Sequence, residues 1–323
     1  MKTPRARLLN RLCLLTIVAT LYELPRLGAQ NIYVSNFDSH TVGEYDAVSG
    51  AVVPGFTPIS GLGAPYAMVV TGNVLYIADQ QGNSVRAYDA TTGAPLVGFT
   101  PPSGLGGPLG LAISGNHLYV ANSIFNKVGV YDAMTGAPIN ANLVTNLTNP
   151  TGLAISGNKL YIADVSNNNI GVFDATTGVT NNTGFIQGLH TPWDLVISGN
   201  DLYVSNVSNN TIGEYNATSG NTIAANFVTE ASGSNPIGLA ILNNVLFVAN
   251  QGTNPTNGFV AAYDTTTGLA VPYTSPSGLS APTAVAVVPE PGSAILLSCG
   301  AVAVLSGPQW RFSIRRKAEI PSK

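Results

Sequence analysis

One short element recurs six times in this chain of 323 residues: IYVSN (32–36), LYIAD (75–79), LYVAN (118–122), LYIAD (160–164), LYVSN (202–206) and LFVAN (246–250). Successive copies lie 42 to 44 residues apart. A period of that length marks a repeated supersecondary unit that buries its apolar faces only by stacking on its neighbours. Each copy is followed by a second element, such as KVGVYDAMTG (127–136) or NIGVFDATTG (169–178). A third, weaker element usually holds an aromatic: Phe56, Phe99, Phe185, Phe227 or Tyr273. A fourth starts with proline, as in PLGLAI (108–113), PTGLAI (150–155) and PWDLVI (192–197).

These elements are short, rich in β-branched and aromatic residues, and bounded by Gly, Asn, Asp or Pro, so they read as strands. Ser-Gly-Asn between the proline element and the next LYVAN element is a hairpin turn. Asp/Asn-Ala-x-x-Gly is a second turn, with glycine free to take positive φ. Four strands repeated six times predict an all-β fold, a six-bladed β-propeller of four-stranded antiparallel blades. The repeats begin on a second strand, IYVSN, and end on a lone first strand, PTAVAV (282–287). Pairing these ends in one blade closes the ring and removes an exposed edge. The propeller is therefore expected over residues 30–288. On the proline strand, positions two and four after the proline are mostly small and positions three and five larger. Alternation puts the two sets on opposite faces, so large residues of one blade should fill space beside small residues of the next.

Charge is distributed unevenly. Residues 31–288 carry only Arg86, Lys127 and Lys159 against thirteen Asp and Glu, ten net negative charges. Such a body repels phosphate backbones, which argues against nucleic-acid binding. Both cysteines, Cys13 and Cys299, lie outside it, so it has no disulfide and no thiolate metal site.

The ends read as addresses. Residues 1–29 place the basic stretch MKTPRARLLNR before the apolar run LCLLTIVATLYEL, with Leu27-Gly28-Ala29 near a cleavage point, as in a signal peptide. Residues 289–323 run from Pro289-Glu290-Pro291 through an apolar stretch, 294–305, to Arg311, Arg315, Arg316 and Lys317. Basic residues after a short apolar span hold that end inside while the domain stays outside. This order closely resembles the PEP-CTERM sorting signal of Gram-negative, exopolysaccharide-producing bacteria. The resemblance implies recognition by an exosortase-type processing enzyme, transient membrane anchoring through the tail, and a final place at the cell surface or in the extracellular matrix. The LY-V/I-A-D/N and I/V-G-V-Y-D-A-T-T-G elements, for their part, resemble the NHL and YVTN propeller families over nearly all of 31–288. That resemblance implies the fold and leaves function open.

The repeats supply an internal control: a residue in every blade reads as structural, and an outlier reads as a functional candidate. The Asx ring (Asn36, Asp79, Asn122, Asp164, Asn206, Asn250) and the tyrosine-acid pairs such as Tyr131-Asp132 recur throughout. Asn and Asp side chains bond local backbone at turns, so these are read as structural. His117 occupies a variable, solvated strand start. Glu44 and Glu214 replace valine in the second element and are expected to be exposed. The outliers are His190, Trp193 and Asp194, around Pro192; Tyr66 is the only aromatic counterpart of Trp193. Strand direction puts all three on one face near the channel mouth. An aromatic ring beside a carboxylate and an imidazole can bind a sugar or a metal-held substrate. In the other reading, Trp193 plugs the channel and Asp194 bonds backbone amides.

Two functional readings follow. The favoured one is a non-enzymatic binding or scaffold module whose partner is exopolysaccharide or another surface protein, with no cofactor. The alternative is a metal-dependent lactonase or lyase of the gluconolactonase-like propeller type. That likeness implies a divalent cation held by inner-strand carboxylates, and Asp194 is the single inner-strand carboxylate available.

Overall fold

The computed structural model describes residues 30–288, so the expected signal peptide (1–29) and the expected sorting segment (289–323) lie outside the described residues. The chain starts with β1 (Asn31–Asn36) and β2 (Thr41–Asp46), then β3 (Pro65–Thr71), β4 (Val74–Asp79) and β5 (Ser84–Asp89). Next come β6 (Pro108–Ser114), β7 (His117–Asn122), β8 (Lys127–Asp132) and β9 (Pro138–Val144), followed by β10 (Pro150–Ser156), β11 (Lys159–Asp164), β12 (Asn169–Asp174) and β13 (Thr180–Ile186). The last elements are β14 (Pro192–Ser198), β15 (Asp201–Asn206), β16 (Thr211–Asn216), β17 (Thr222–Thr229), β18 (Pro236–Leu242), β19 (Val245–Asn250), β20 (Phe259–Asp264) and β21 (Pro282–Val287). They form six antiparallel sheets. Blade I is β21-β1-β2 and joins the two ends of the described chain, with Val34 opposite Val285. Blades II to VI follow in order, each starting on its proline strand.

Blades III, IV and V have four strands. In blades I, II and VI the outermost strand shrinks to isolated bridges, Val42 to Ile59, Tyr45 to Val52, Tyr88 to Pro95 and Tyr263 to Ala270. The segments there, AVVPGFTPIS, APLVGFTPPS and LAVPYTSPS, hold prolines that cannot donate to a ladder. The aromatic of each such segment still packs: Phe56 on Tyr33, Phe99 on Tyr76 and Tyr273 on Phe247.

The core is six clusters, each shared by two neighbouring blades. Leu153 of blade IV packs with Ala112 of blade III, and Leu195 of blade V with Ala154 of blade IV. This is the large-on-small pairing that the alternation predicts. The inner strands also approach closely: a Cβ on Gly152 would come within 2.6 Å of the Asp194 Cα, so glycine is needed there. A tyrosine from the second strand reinforces five of the six interfaces. The hydroxyls of Tyr76, Tyr119, Tyr161 and Tyr203 donate to Ala133, Ala175, Ala217 and Thr265 of the next blade at 2.6–3.0 Å. Tyr33 does the same to Ala90. The sixth position is Phe247, which has no hydroxyl, so the interface between blades VI and I lacks this bond.

The Asx ring fixes the loop that leads into the inner strand in five of the six blades. Asp79 Oδ1 accepts from Gly63 and Ala64, Asp164 Oδ2 from Thr148, Asn206 Oδ1 from His190 and Asn36 Oδ1 from Ser280, all through backbone N–H groups. The acids of the tyrosine-acid pairs cap the second turn: Asp132 Oδ1 accepts from the Met134 and Thr135 amides. His117 is exposed, as expected. Glu44 and Glu214 are instead buried, at 6% and 9% exposure. They lie directly opposite Tyr33 and Tyr203 in the ladders, where the outer segment covers them. Asn31 donates to Glu44, the Tyr203 hydroxyl oxygen lies 3.3 Å from Glu214 Oε1, and burial raises the pKa of both carboxyls.

Candidate functional site

All inner strands bulge just after their proline, and in β14 the register shifts between Pro192 and Leu195. A bulge takes a residue off the ladder and re-aims its side chain. Here it frees Trp193 and Asp194. The preceding Thr191 sits at φ 56°, an unusual conformation for a β-branched residue. Its amide donates to Asn168 and its hydroxyl bonds Ser208, which hold it there.

Trp193 is half-buried and meets Tyr66 with ring centroids 5.9 Å apart and planes 32° apart. Tyr66 in turn meets Phe37 edge-on at 5.4 Å. Trp193 belongs to blade V and Tyr66 to blade II. These blades are opposite in a ring of six, so the pair spans the channel mouth. Burial raises the Tyr66 pKa, aided by the charge of Asp38, while a hydrogen bond with Gln251 lowers it. The result is an aromatic cluster with a polar rim, on the face that carries the loops following the Asx ring.

Asp194 lies one residue inward and lines a channel cavity of about 240 Å³, which is otherwise walled by apolar residues such as Leu111, Leu153 and Ile197. Its Oδ2 accepts the Leu239 amide of blade VI at 2.9 Å and its Oδ1 the Leu195 amide at 2.9 Å. Its own amide donates to Ser205 Oγ at 3.0 Å, and Ser205 donates to the Ile237 carbonyl of blade VI at 3.0 Å. Burial pushes the Asp194 carboxyl up to about 6, against the two amide bonds that lower it. The side chain thus links the inner strands of two blades. His190 is exposed on the loop before Pro192; its amide donates to Asn206, and its imidazole makes no hydrogen bond or ion pair among the described residues. The structure therefore places Trp193 and Asp194 together at the mouth and His190 at the rim.

Sequence reading overlooked Phe37 and Ser205. Ser205 had a signal: IYVSN and LYVSN carry serine where the other four copies have alanine. Both serines take the same role, since Ser35 Oγ accepts the Ala284 amide at 2.8 Å. Phe37 had none beyond its place after an Asx residue.

Among the described residues, no three His, Cys, Asp or Glu side chains lie close enough to share a metal ion. Asp194 is a poor fit for one, because amides already take both oxygens and a hard cation needs several oxygen ligands.

The repeats of residues 81–290 match the family model described as outer membrane protein assembly factor BamB, PQQ_2. The chain belongs to this family. No curated protein matches it. A solved structure of a nidogen/laminin complex contains a similar chain, at 15% identity and TM-score 0.61, covering 80% of this chain and 98% of that one. A protein of unknown function from Bacteroides caccae is similar at 11% identity and TM-score 0.61, over 81% and 100% of the two chains. A chain of Kuenenia stuttgartiensis hydrazine synthase matches at 21% identity and TM-score 0.50, over 67% of each. At such identities the likeness shows the propeller fold alone. In this member of the BamB family, the aromatic cluster at the channel mouth is the feature that departs most from the repeat.

Proposed function

We propose that this BamB-family propeller is an exported binding or scaffold module of the cell surface or extracellular matrix, with a neutral exopolysaccharide as partner of its loop-bearing face. The observation that carries the reading is the Trp193–Tyr66–Phe37 cluster. Partly exposed aromatic faces stack on the C–H faces of sugar rings, and neighbouring hydroxyls and amides satisfy sugar hydroxyls. Asp38, His190 and Gln251 supply that polar rim. The net negative charge of residues 31–288 favours a neutral polymer over an acidic one. The channel carboxylate is committed to backbone amides, which supports binding rather than hydrolysis. The two terminal segments, which resemble a signal peptide and a sorting signal, support export, exosortase processing and surface residence.

The test is binding of the full-length chain to purified neutral exopolysaccharide, beside Trp193→Ala and Tyr66→Ala. Saturable binding weakened at least tenfold in both variants is expected. Equal binding by all three proteins, or none by the wild type, would refute it.

A further inference from the structure

A second pocket, of about 290 Å³, lies on the outer part of blade IV. Asp164, Gly171 and Phe173 are its buried wall, and Asn146, Asn167 and Thr183 belong to its exposed rim. Asp164 is only 4% exposed. Its Oδ2 accepts the Thr148 amide at 2.8 Å and Asn167 Nδ2 at 2.9 Å, but its Oδ1 is buried with no hydrogen-bond partner. Burial raises its pKa against these bonds. A buried carboxylate oxygen without a partner is costly and calls for an explanation.

Blade II shows what can stand there. Asp79 is the only other carboxylate of the Asx ring, and Arg86 Nη2 lies 3.0 Å from its Oδ2. Arg86 comes seven residues after Asp79; seven residues after Asp164 comes Gly171. In blades I and V, that ring position holds Tyr45 and Tyr215, whose hydroxyls face Asn36 and Asn206. In blade VI, Asn250 Nδ2 donates to Glu230 at 3.0 Å, and the uncharged Asn250 Oδ1 is buried without a partner. The blade IV counterpart of those tyrosines is Phe173. Its ring lies over Gly171 as Tyr45 lies over Gly43, since a Cβ on either glycine would come within 2.8 Å of that ring. Blade IV keeps the ring and lacks both the hydroxyl and the arginine, while its carboxylate remains.

We propose that this pocket binds a guanidinium group from outside the chain, taking the place that Arg86 fills in blade II. Guanidinium matches a carboxylate oxygen in charge and presents several N–H donors. The remaining donors would face the amide and hydroxyl oxygens of Asn146, Asn167 and Thr183. This site lies apart from the aromatic cluster and does not rest on the exopolysaccharide reading.

The test is calorimetric titration of the full-length chain with methylguanidinium, with the peptide Gly-Arg-Gly and with calcium, beside Asp164→Asn and Phe173→Tyr. Both substitutions install residues that other blades use at these positions, so folding should be kept. Saturable one-to-one methylguanidinium binding is expected, weakened at least tenfold in Asp164→Asn and at least threefold in Phe173→Tyr, where the hydroxyl would occupy Oδ1. Tighter binding of the peptide would identify a protein arginine as the ligand, and equal or weaker binding a small molecule. No saturable methylguanidinium binding, binding unchanged in Asp164→Asn, or calcium binding in its place would overturn the proposal.

Discussion

Asp194 is an ionisable side chain held inside the ring by backbone amides, and it imposes a pH dependence on stability. Its folded carboxyl titrates at about 6, above the ordinary aspartate value. The native state therefore holds this proton more tightly than the unfolded chain. The contribution is fully present below about pH 4 and is lost as pH rises through 6. Across that window wild type should lose about 2 kcal/mol relative to Asp194→Asn. Chemical denaturation of both proteins at pH 4.5 and pH 7.5 measures the difference. A gap that does not change with pH would mean that the carboxyl titrates normally. The exposed turn acids act in the opposite sense: hydroxyl and amide bonds hold Asp89, Asp132 and Asp174 low, so their contribution disappears as pH falls. At this scale the sequence was readable where repeats could be compared. Asp194 stands out because the five other blades hold Gly or Ala there, and Trp193 because only Tyr66 matches it. Glu44 and Glu214 also stand out, but their burial depends on an outer segment whose path no local pattern reports.

The element that binds one blade to the next is the second strand, through its tyrosine. Tyr161→Phe removes the bond to the Ala217 carbonyl while keeping the ring in place. A loss of about 1–2 kcal/mol is expected, the net value of one buried hydrogen bond and its orphaned acceptor. Phe247→Tyr should do the reverse at the interface between blades VI and I, where the repeat would direct the new hydroxyl at Ala47, a member of the same core cluster. A gain of about 1 kcal/mol is expected there. Urea titrations of the two variants give both numbers, and a destabilised Phe247→Tyr would show that this interface has a different geometry. Strand identity and order were legible throughout, because β-branched runs between Gly, Asn and Pro leave little choice. The outermost strands of blades I, II and VI were legible only as segments. Their prolines reduce pairing to bridges, while the aromatic residue that marked each one still packs. The bulges after Pro108, Pro150 and Pro192 carry no signature beyond the proline, yet they are what turns Trp193 and Asp194 out of the ladder.

For the whole molecule, ring closure was predictable from the order of elements alone: a repeat that starts on its second strand and ends on its first has one arrangement that leaves no edge. The β21–β1 ladder is that arrangement. Closure brings opposite blades within reach of each other at the axis, and there Tyr66 meets Trp193 across 127 residues of sequence. No periodicity could announce that contact, since it depends on the diameter of the ring and on two bulged strands. The proposed binding face is the one where this contact lies. Hydrogen exchange on the full-length chain, with and without neutral exopolysaccharide, tests this most directly. New protection is expected in the loops around Phe37, in 190–194 and in 251–258. Protection confined to the opposite-face hairpins near Asn116, Asn158 and Asn200, or none anywhere, would contradict it.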